Sequence, residues 1–346
     1  MLEKERLQRI FDREEVDRKP VMCPGGMMNM ITTELMKVSG ATWPEAHTDP
    51  LMMANMAQAA YDYKCFENVG VPFCMTIESE MMGAEVTMGT TIAEPHVTNY
   101  AITHVKDWTT LKKPVVTEGR MGVVIEAIKI LKSRDLPVPI VGNVVGPVSV
   151  ASSVQDAVQY YKDMRKHPKE MHEFMEFVSD AIADFAVAQV EAGADVICMS
   201  DPSGTGEILG PKLFDEYAVT YINRVLERLK PYKVKTIVHI CGQMNNVFEQ
   251  VNKVESDVLS FDAVVSLKKA REHLGDHLLM GNISTFALEC SSAEKVATIT
   301  RACVKNGSDI ITPACGLGTG SPLVNIQTIL KTLKEDAEAE AEAAAV

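Results

Sequence analysis

The sequence predicts an α/β protein built as a closed (β/α)8 barrel, a TIM barrel, with an N-terminal helical extension. Three observations carry this. From residue 71 onward, short apolar runs alternate with amphipathic helices, the pattern of a parallel sheet with crossover helices. Seven or eight such units on roughly 300 residues fit a closed barrel better than an open sheet. The runs also end close to polar or metal-binding residues, at the strand ends where barrels carry their chemistry.

The elements follow in order. A first helix is expected over residues 3–12. Val16-Asp17-Arg18-Lys19-Pro20 leads into a short apolar run, Val21-Met22-Cys23, then Gly25, Gly26 and a Met-rich helix. Met27, Met28, Met30 and Met36 read as adaptable packing. Asp49-Pro50 starts another helix, with Met52, Met53, Met56 and Ala60 at helical spacing. Residues 1–65 are therefore expected to form a helical cap. The strand runs lie at 71–75, 138–142, 195–199, 236–241, 258–261, 278–281 and 309–311. Pro168 opens a helix whose Met171, Phe174, Val178, Ile182 and Phe185 share one face, and Gly193 ends it. Pro211 opens the next, with Phe214, Val219, Ile222 and Val225. Ser321-Pro322 caps the last, carrying Leu323, Ile326, Ile329, Leu330 and Leu333. Without an internal repeat or linker, residues 1–334 read as one domain. Residues 335–346, mostly acid and Ala, read as a helix extension or a solvated tail.

At 346 residues, 46% hydrophobic and 23% charged, the chain can bury one large core or two modest ones. No apolar run is long enough for a membrane span, and the charged start Met1-Leu2-Glu3-Lys4-Glu5-Arg6 is unlike a secretory signal. Eight Cys without regular spacing do not suggest a disulfide scaffold. A cytoplasmic protein with reduced thiols and no membrane partner is expected. Net charge is −13, of which five negatives lie in the tail, leaving −8 on the body. That argues against a nucleic-acid partner, which needs a basic face, but leaves a small anionic ligand open.

The chemistry centres on Thr236-Ile237-Val238-His239-Ile240-Cys241-Gly242. Side chains alternate across a strand, so His239 and Cys241 point the same way, an imidazole beside a thiol. The run at 309–316 also ends in a Cys before Gly, Cys315-Gly316. Alone, each residue reads as ordinary core, and His-x-Cys is a weaker signal than paired Cys-x-x-Cys. Together, at strand ends, His239, Cys241 and Cys315 supply three ligands with one open position, the donor set of a catalytic zinc. The fourth position would be filled by Glu78, Glu80 or water.

The other strand ends give Glu78 and Glu80, Asn143, Asp201, Asp262 and Asn282. Asp and Asn terminate strands as turn and cap residues, which suffices for Asp262. Glu78, Asp201 and Asn282 are the candidates for catalytic roles. Gly316-Leu317-Gly318-Thr319-Gly320-Ser321 runs into a Pro-started helix, a weak signal for an anion cradle, and its spacing is not that of a Walker or Rossmann loop. Asn143, Gly316 and Gly318 are the candidates for holding a cofactor or the anionic end of a bound ligand.

Four stretches carry a family resemblance over nearly the whole chain, to Lys334. They are Arg18-Lys19-Pro20-Val21; Ser200-Asp201-Pro202-Ser203-Gly204 with Pro211-Lys212-Leu213-Phe214; His239-Ile240-Cys241-Gly242; and Met280-Gly281-Asn282-Ile283 with Cys315-Gly316. The chain resembles the uroporphyrinogen decarboxylase superfamily, and within it the corrinoid methyltransferase branch typified by methylcobamide:coenzyme M methyltransferase. The zinc motif of that branch maps onto His239, Cys241 and Cys315. The decarboxylases carry an arginine just after the first Pro-Val; here Met22-Cys23-Pro24-Gly25-Gly26-Met27-Met28 has none, so a polycarboxylate would lack a partner.

The resemblance implies a zinc-dependent methyltransferase that moves a methyl group from a methylated corrinoid, carried on a separate corrinoid protein, to a small thiol such as coenzyme M. Zinc deprotonates a coordinating thiol, and the thiolate is the nucleophile. Tetrahydrofolate or homocysteine as acceptor, a cofactor-free decarboxylase, and a corrinoid- or tetrapyrrole-binding chaperone are the alternatives.

Overall fold

The computed structural model describes residues 1–344. Its centre is a parallel sheet in the order β1-β4-β5-β6-β7-β8. These strands are β1 (Val69–Val71), β4 (Ile140–Val145), β5 (Val196–Ser200), β6 (Lys235–Ile240), β7 (Val258–Phe261) and β8 (Leu278–Met280). A hairpin of β2 (Glu85–Thr87) and β3 (His96–Asn99) stands outside this sheet. From β4 to β8 nearly every strand residue is buried, as expected of strands covered by helices outside and side chains inside.

Two short segments close the ring. Met280 bridges in parallel to Ile310, and Ile311 bridges to Val21. The Val21 carbonyl accepts from Glu67 N at 2.8 Å, just before β1. The Asn68 side chain then does the work of a ladder partner, accepting from Cys23 N (2.9 Å) and donating to Cys23 O (2.8 Å). The stretch expected to be a helical cap thus supplies the first barrel segment, at the short apolar run Val21-Met22-Cys23. Around it lie the helices Glu3–Phe11, Thr33–Ser39 and Pro50–Asp62. The last starts where Asp49 accepts from Met52 N at 2.7 Å.

The crossover helices follow the sequence periodicity. Pro168–Ala192 buries Met171, Phe174, Val178, Ile182 and Phe185 and stops at Gly193. Helix Gly206–Leu213 is broken at Gly210 (φ +66°), so Pro211 does start a new helical piece, which continues into Thr220–Leu229. Leu323–Ala344 runs straight through the acidic tail, where Arg301 forks onto both oxygens of Asp336 at 2.8–3.1 Å. Ala345 and Val346, the end of that tail, lie outside the described residues. No described helix is long and apolar enough to cross a membrane, and all eight Cys are free thiols.

At the N-terminal face of the barrel, Glu67 is buried among cations. It accepts from Arg6 Nη1 (3.1 Å), from both Arg18 amino groups and from Val21 N (2.9 Å). Arg6 also forks onto Asp17 at 2.7 and 2.8 Å. The Arg18-Lys19-Pro20-Val21 stretch therefore anchors the first barrel segment, at the end remote from the chemistry.

Candidate metal centre at the barrel mouth

β6 places His239 between two neighbours in register, Ser200 on β5 and Ser260 on β7. His239 is fully buried. Its Nδ1 lies 2.9 Å from Ser260 Oγ, and its Nε2 lies 3.2 Å from Cys241 Sγ. With Nδ1–H donated to Ser260, Nε2 keeps the lone pair that faces sulfur. Cys315 arrives from the loop beyond Ile311, its Sγ 3.8 Å from Cys241 Sγ. The three ligand atoms lie within 4.8 Å of one another.

This set fits a zinc ion. Tetrahedral geometry with Zn–S of about 2.3 Å and Zn–N of about 2.0 Å puts two sulfurs about 3.8 Å apart and nitrogen and sulfur about 3.5 Å apart. The observed 3.8 and 3.2 Å are close to those edges. The two thiols are coupled through their contact. The hydrogen bond from Cys241 lowers the Cys315 thiol, against the opposing effect of burial. The same contact, with burial, pushes Cys241 up. One negative charge is shared across the pair, and a cation between them would bring down the second thiol.

Both sulfurs are followed by a glycine that the site requires. Gly242 sits at φ +76°, where a Cβ would come 2.5 Å from Glu207 Oε1. At Gly316 a Cβ would come 2.6 Å from Met27 O and 3.2 Å from Asn29 N.

The other expected site residues are engaged differently. Asp201 is fully buried and caps helix Pro147–Val154: it accepts from Val148 N (3.1 Å), Ser149 N (2.9 Å) and Ser149 Oγ (2.6 Å). Asn143 donates to Pro24 O (2.8 Å) and Val71 O (3.0 Å), clamping the Gly25-Gly26 loop to the sheet. Asn282 donates to Asp262 O and Val265 O, both at 2.8 Å. Asp262 in turn accepts from Gly242 N at 3.3 Å, beside Cys241. Gly316 and Gly318 form no open anion cradle. The N-terminus of Leu323–Ala344 is taken by the protein's own Glu34, which accepts from Leu323 N at 2.7 Å, and a Cβ on Gly318 would come 2.3 Å from Glu289 Oε2. Of the suggested fourth ligands, Glu80 pairs with Arg120 and Glu78 accepts from Val145 N at 2.8 Å. Burial pushes the Glu78 carboxyl up to about 7.

One residue at the site escaped the sequence reading, and one loop carboxyl feels its charge. Ser260 was visible as a hydroxyl inside the apolar run of β7, but only the strand register puts it against His239. Glu94 comes from the tip of the β2–β3 hairpin, which Thr319 pins by donating to Ile92 O at 3.2 Å. Burial, then the charge of Cys315, raises its carboxyl to about 7. Nothing in the local sequence distinguishes Glu94 from an ordinary loop acid.

A (β/α)8 barrel with a His/Cys/Cys cluster at its mouth defines the class of this protein. The chain belongs to the uroporphyrinogen decarboxylase (URO-D) family, whose model matches residues 2–335. Among its relatives is a methylcobamide:CoM methyltransferase from Methanosarcina acetivorans, 32% identical over 96% of this chain and 97% of that one. A methylcobamide:CoM methyltransferase from Methanosarcina barkeri is 30% identical over the same shares. A solved methyltransferase from Methanosarcina mazei superposes with a TM-score of 0.90 at 32% identity, over 97% of this chain and 99% of that one.

Proposed function

We propose that this protein transfers a methyl group from a methylated corrinoid to a small thiol, of which coenzyme M is the leading candidate, and that it does so with zinc. The observation that carries the reading is the convergence of His239 Nε2, Cys241 Sγ and Cys315 Sγ within 4.8 Å at the C-terminal end of the barrel. The methylcobamide:CoM methyltransferases at about 30% identity over nearly the whole chain support the reaction class.

His239, Cys241 and Cys315 would hold the ion, which when bound keeps a thiol deprotonated at neutral pH. Two thiolates would balance its charge, and Ser260 holds the imidazole in place through Nδ1. The acceptor thiolate attacks the methyl carbon. A carbon–sulfur bond forms, the carbon–cobalt bond breaks, and its electron pair stays with cobalt. The thiol proton goes to solvent. The chain's part is to exclude water around the sulfurs and to present the open side of the cluster to the donor.

Elemental analysis and a methyl-transfer assay with free methylcobalamin and coenzyme M test this. One zinc per chain and loss of the methyl–cobalt absorbance are expected, with both abolished in Cys315→Ala while the barrel still folds. Stoichiometric zinc in a double Cys241, Cys315 variant would overturn the ligand assignment.

A further inference from the structure

Helix Ala157–Lys166 presents Lys162, Arg165 and Lys166 to solvent, and among the described residues none of them forms an ion pair. The acid between them, Asp163, is buried and spent on Val105 N, Gln155 and Gln159. In a chain of net charge −13 such a cluster is a local reversal of sign. It lines a groove of about 400 Å³ against helix Gly206–Leu213, with Tyr161, Leu209 and Leu213 as its apolar wall. Ile208 at its edge is 50% exposed and Val158, one turn before Lys162, is 66% exposed.

The groove is tied to the rim of the metal centre. The Tyr161 hydroxyl donates to Ser203 O at 3.3 Å, and Ser203 N donates to Ser149 Oγ, which holds Asp201 at the end of β5. β5 pairs with β6 at Ser200–His239. Other segments that follow barrel strands also expose large apolar side chains: Ile92, Val264 and, in helix Thr285–Cys290, Phe286 are 54–75% exposed. Isolated exposed apolar residues are ordinary, but Ile208 lines the same groove as the three cations.

We propose that the Lys162/Arg165/Lys166 groove is the docking surface for a protein-borne methyl donor, a corrinoid protein whose contact surface is acidic. This rests on the methyl-transfer reading above. His239 is fully buried and the two sulfurs partly so, hence a macrocycle must be delivered at the rim. An acidic carrier would be repelled by the body of this chain, so a local basic patch sets where and how fast it lands. The exposed apolar residues beside the cations supply the dry part of the contact.

The test compares two methyl donors, free methylcobalamin and a purified methylated corrinoid protein, on the zinc-loaded enzyme and on its triple variant K162E/R165E/K166E. The three residues touch neither metal ligands nor the bonds that hold them. Transfer from free methylcobalamin is expected to be unchanged. Transfer from the protein donor should fall roughly ten-fold or more at low salt, through kcat/KM, with the gap closing as salt rises. A milder K162A/R165A/K166A variant should fall in between, and thermal melting confirms that both fold. Equal rates with the protein donor would overturn the docking assignment. So would a sedimentation result in which the wild-type chain self-associates and the charge reversal dissociates it, since the groove would then join two copies. Failure of the wild type on free methylcobalamin would instead sink the methyl-transfer reading, and the donor assignment with it.

Discussion

His239 Nδ1 lies 2.9 Å from Ser260 Oγ, on the neighbouring strand and directly opposite in register. The hydroxyl fixes the orientation of the ring. Ser260→Ala removes that partner inside a dry core and leaves a buried N–H unpaired. Loss of such an outer partner typically costs about 10–100-fold in metal affinity. Competition with a zinc chelator should show a drop of that order, with cooperative unfolding retained. Unchanged zinc affinity would mean that the ring is oriented by packing alone.

Thiol binding should release a proton. A free thiol has a pKa of about 8.5, so at pH 7 nearly one proton per acceptor bound should appear in solution. The number should fall as pH rises through the free-thiol pKa. Titration calorimetry in buffers of different ionisation enthalpy counts it. An S-methylated analogue has no proton to lose and should bind much more weakly. No release at pH 7, or equal binding of the analogue, would rule out activation of the acceptor by zinc.

Glu78 should leave a signature in the pH dependence of stability. Burial raises its carboxyl to about 7, against an ordinary value of 4.5. Between those values the folded chain holds a proton that the unfolded chain has released, so stability falls as pH rises through the window. Glu78→Gln keeps an oxygen for Val145 N and cannot titrate. The wild type should lose stability relative to the variant from about pH 4.5 to 7 and stay level above it. Urea denaturation at several pH values reads this. Parallel curves would show that Glu78 ionises normally.

Glu67 tests the barrel closure. It is 3% exposed and answers Arg6, Arg18 and Val21 N together. Glu67→Ala leaves the Arg18 guanidinium without its carboxylate, while Arg6 keeps Asp17; breaking such a buried pair costs about 3–5 kcal/mol. A urea midpoint lowered accordingly is expected, with zinc content of the folded fraction intact, because Glu67 sits at the opposite end of the barrel. Zinc lost in step with stability would mean that the two faces are not independent.

Local pattern was enough for the parts that depend on local pattern. Period-two alternation put His239 and Cys241 on one side of a strand, and the Cys-Gly endings marked both sulfurs as mouth residues. Helical spacing identified the buried face of Pro168–Ala192. What the chain order could not carry was the identity of distant partners. Asp201, Asn143 and Asn282 look alike in sequence as polar residues at strand ends, yet one caps a helix, one clamps a loop and one props up Asp262. Val21 pairs through a single bridge and borrows the Asn68 side chain, too short a signal to read as a strand. The glycine loop gave a weak signal for an anion cradle, but Glu34, far away in sequence, already accepts from the helix N-terminus at Leu323. A residue's period and propensity are set by its immediate neighbours, whereas its hydrogen-bond partner is set by which strands the closed ring brings side by side.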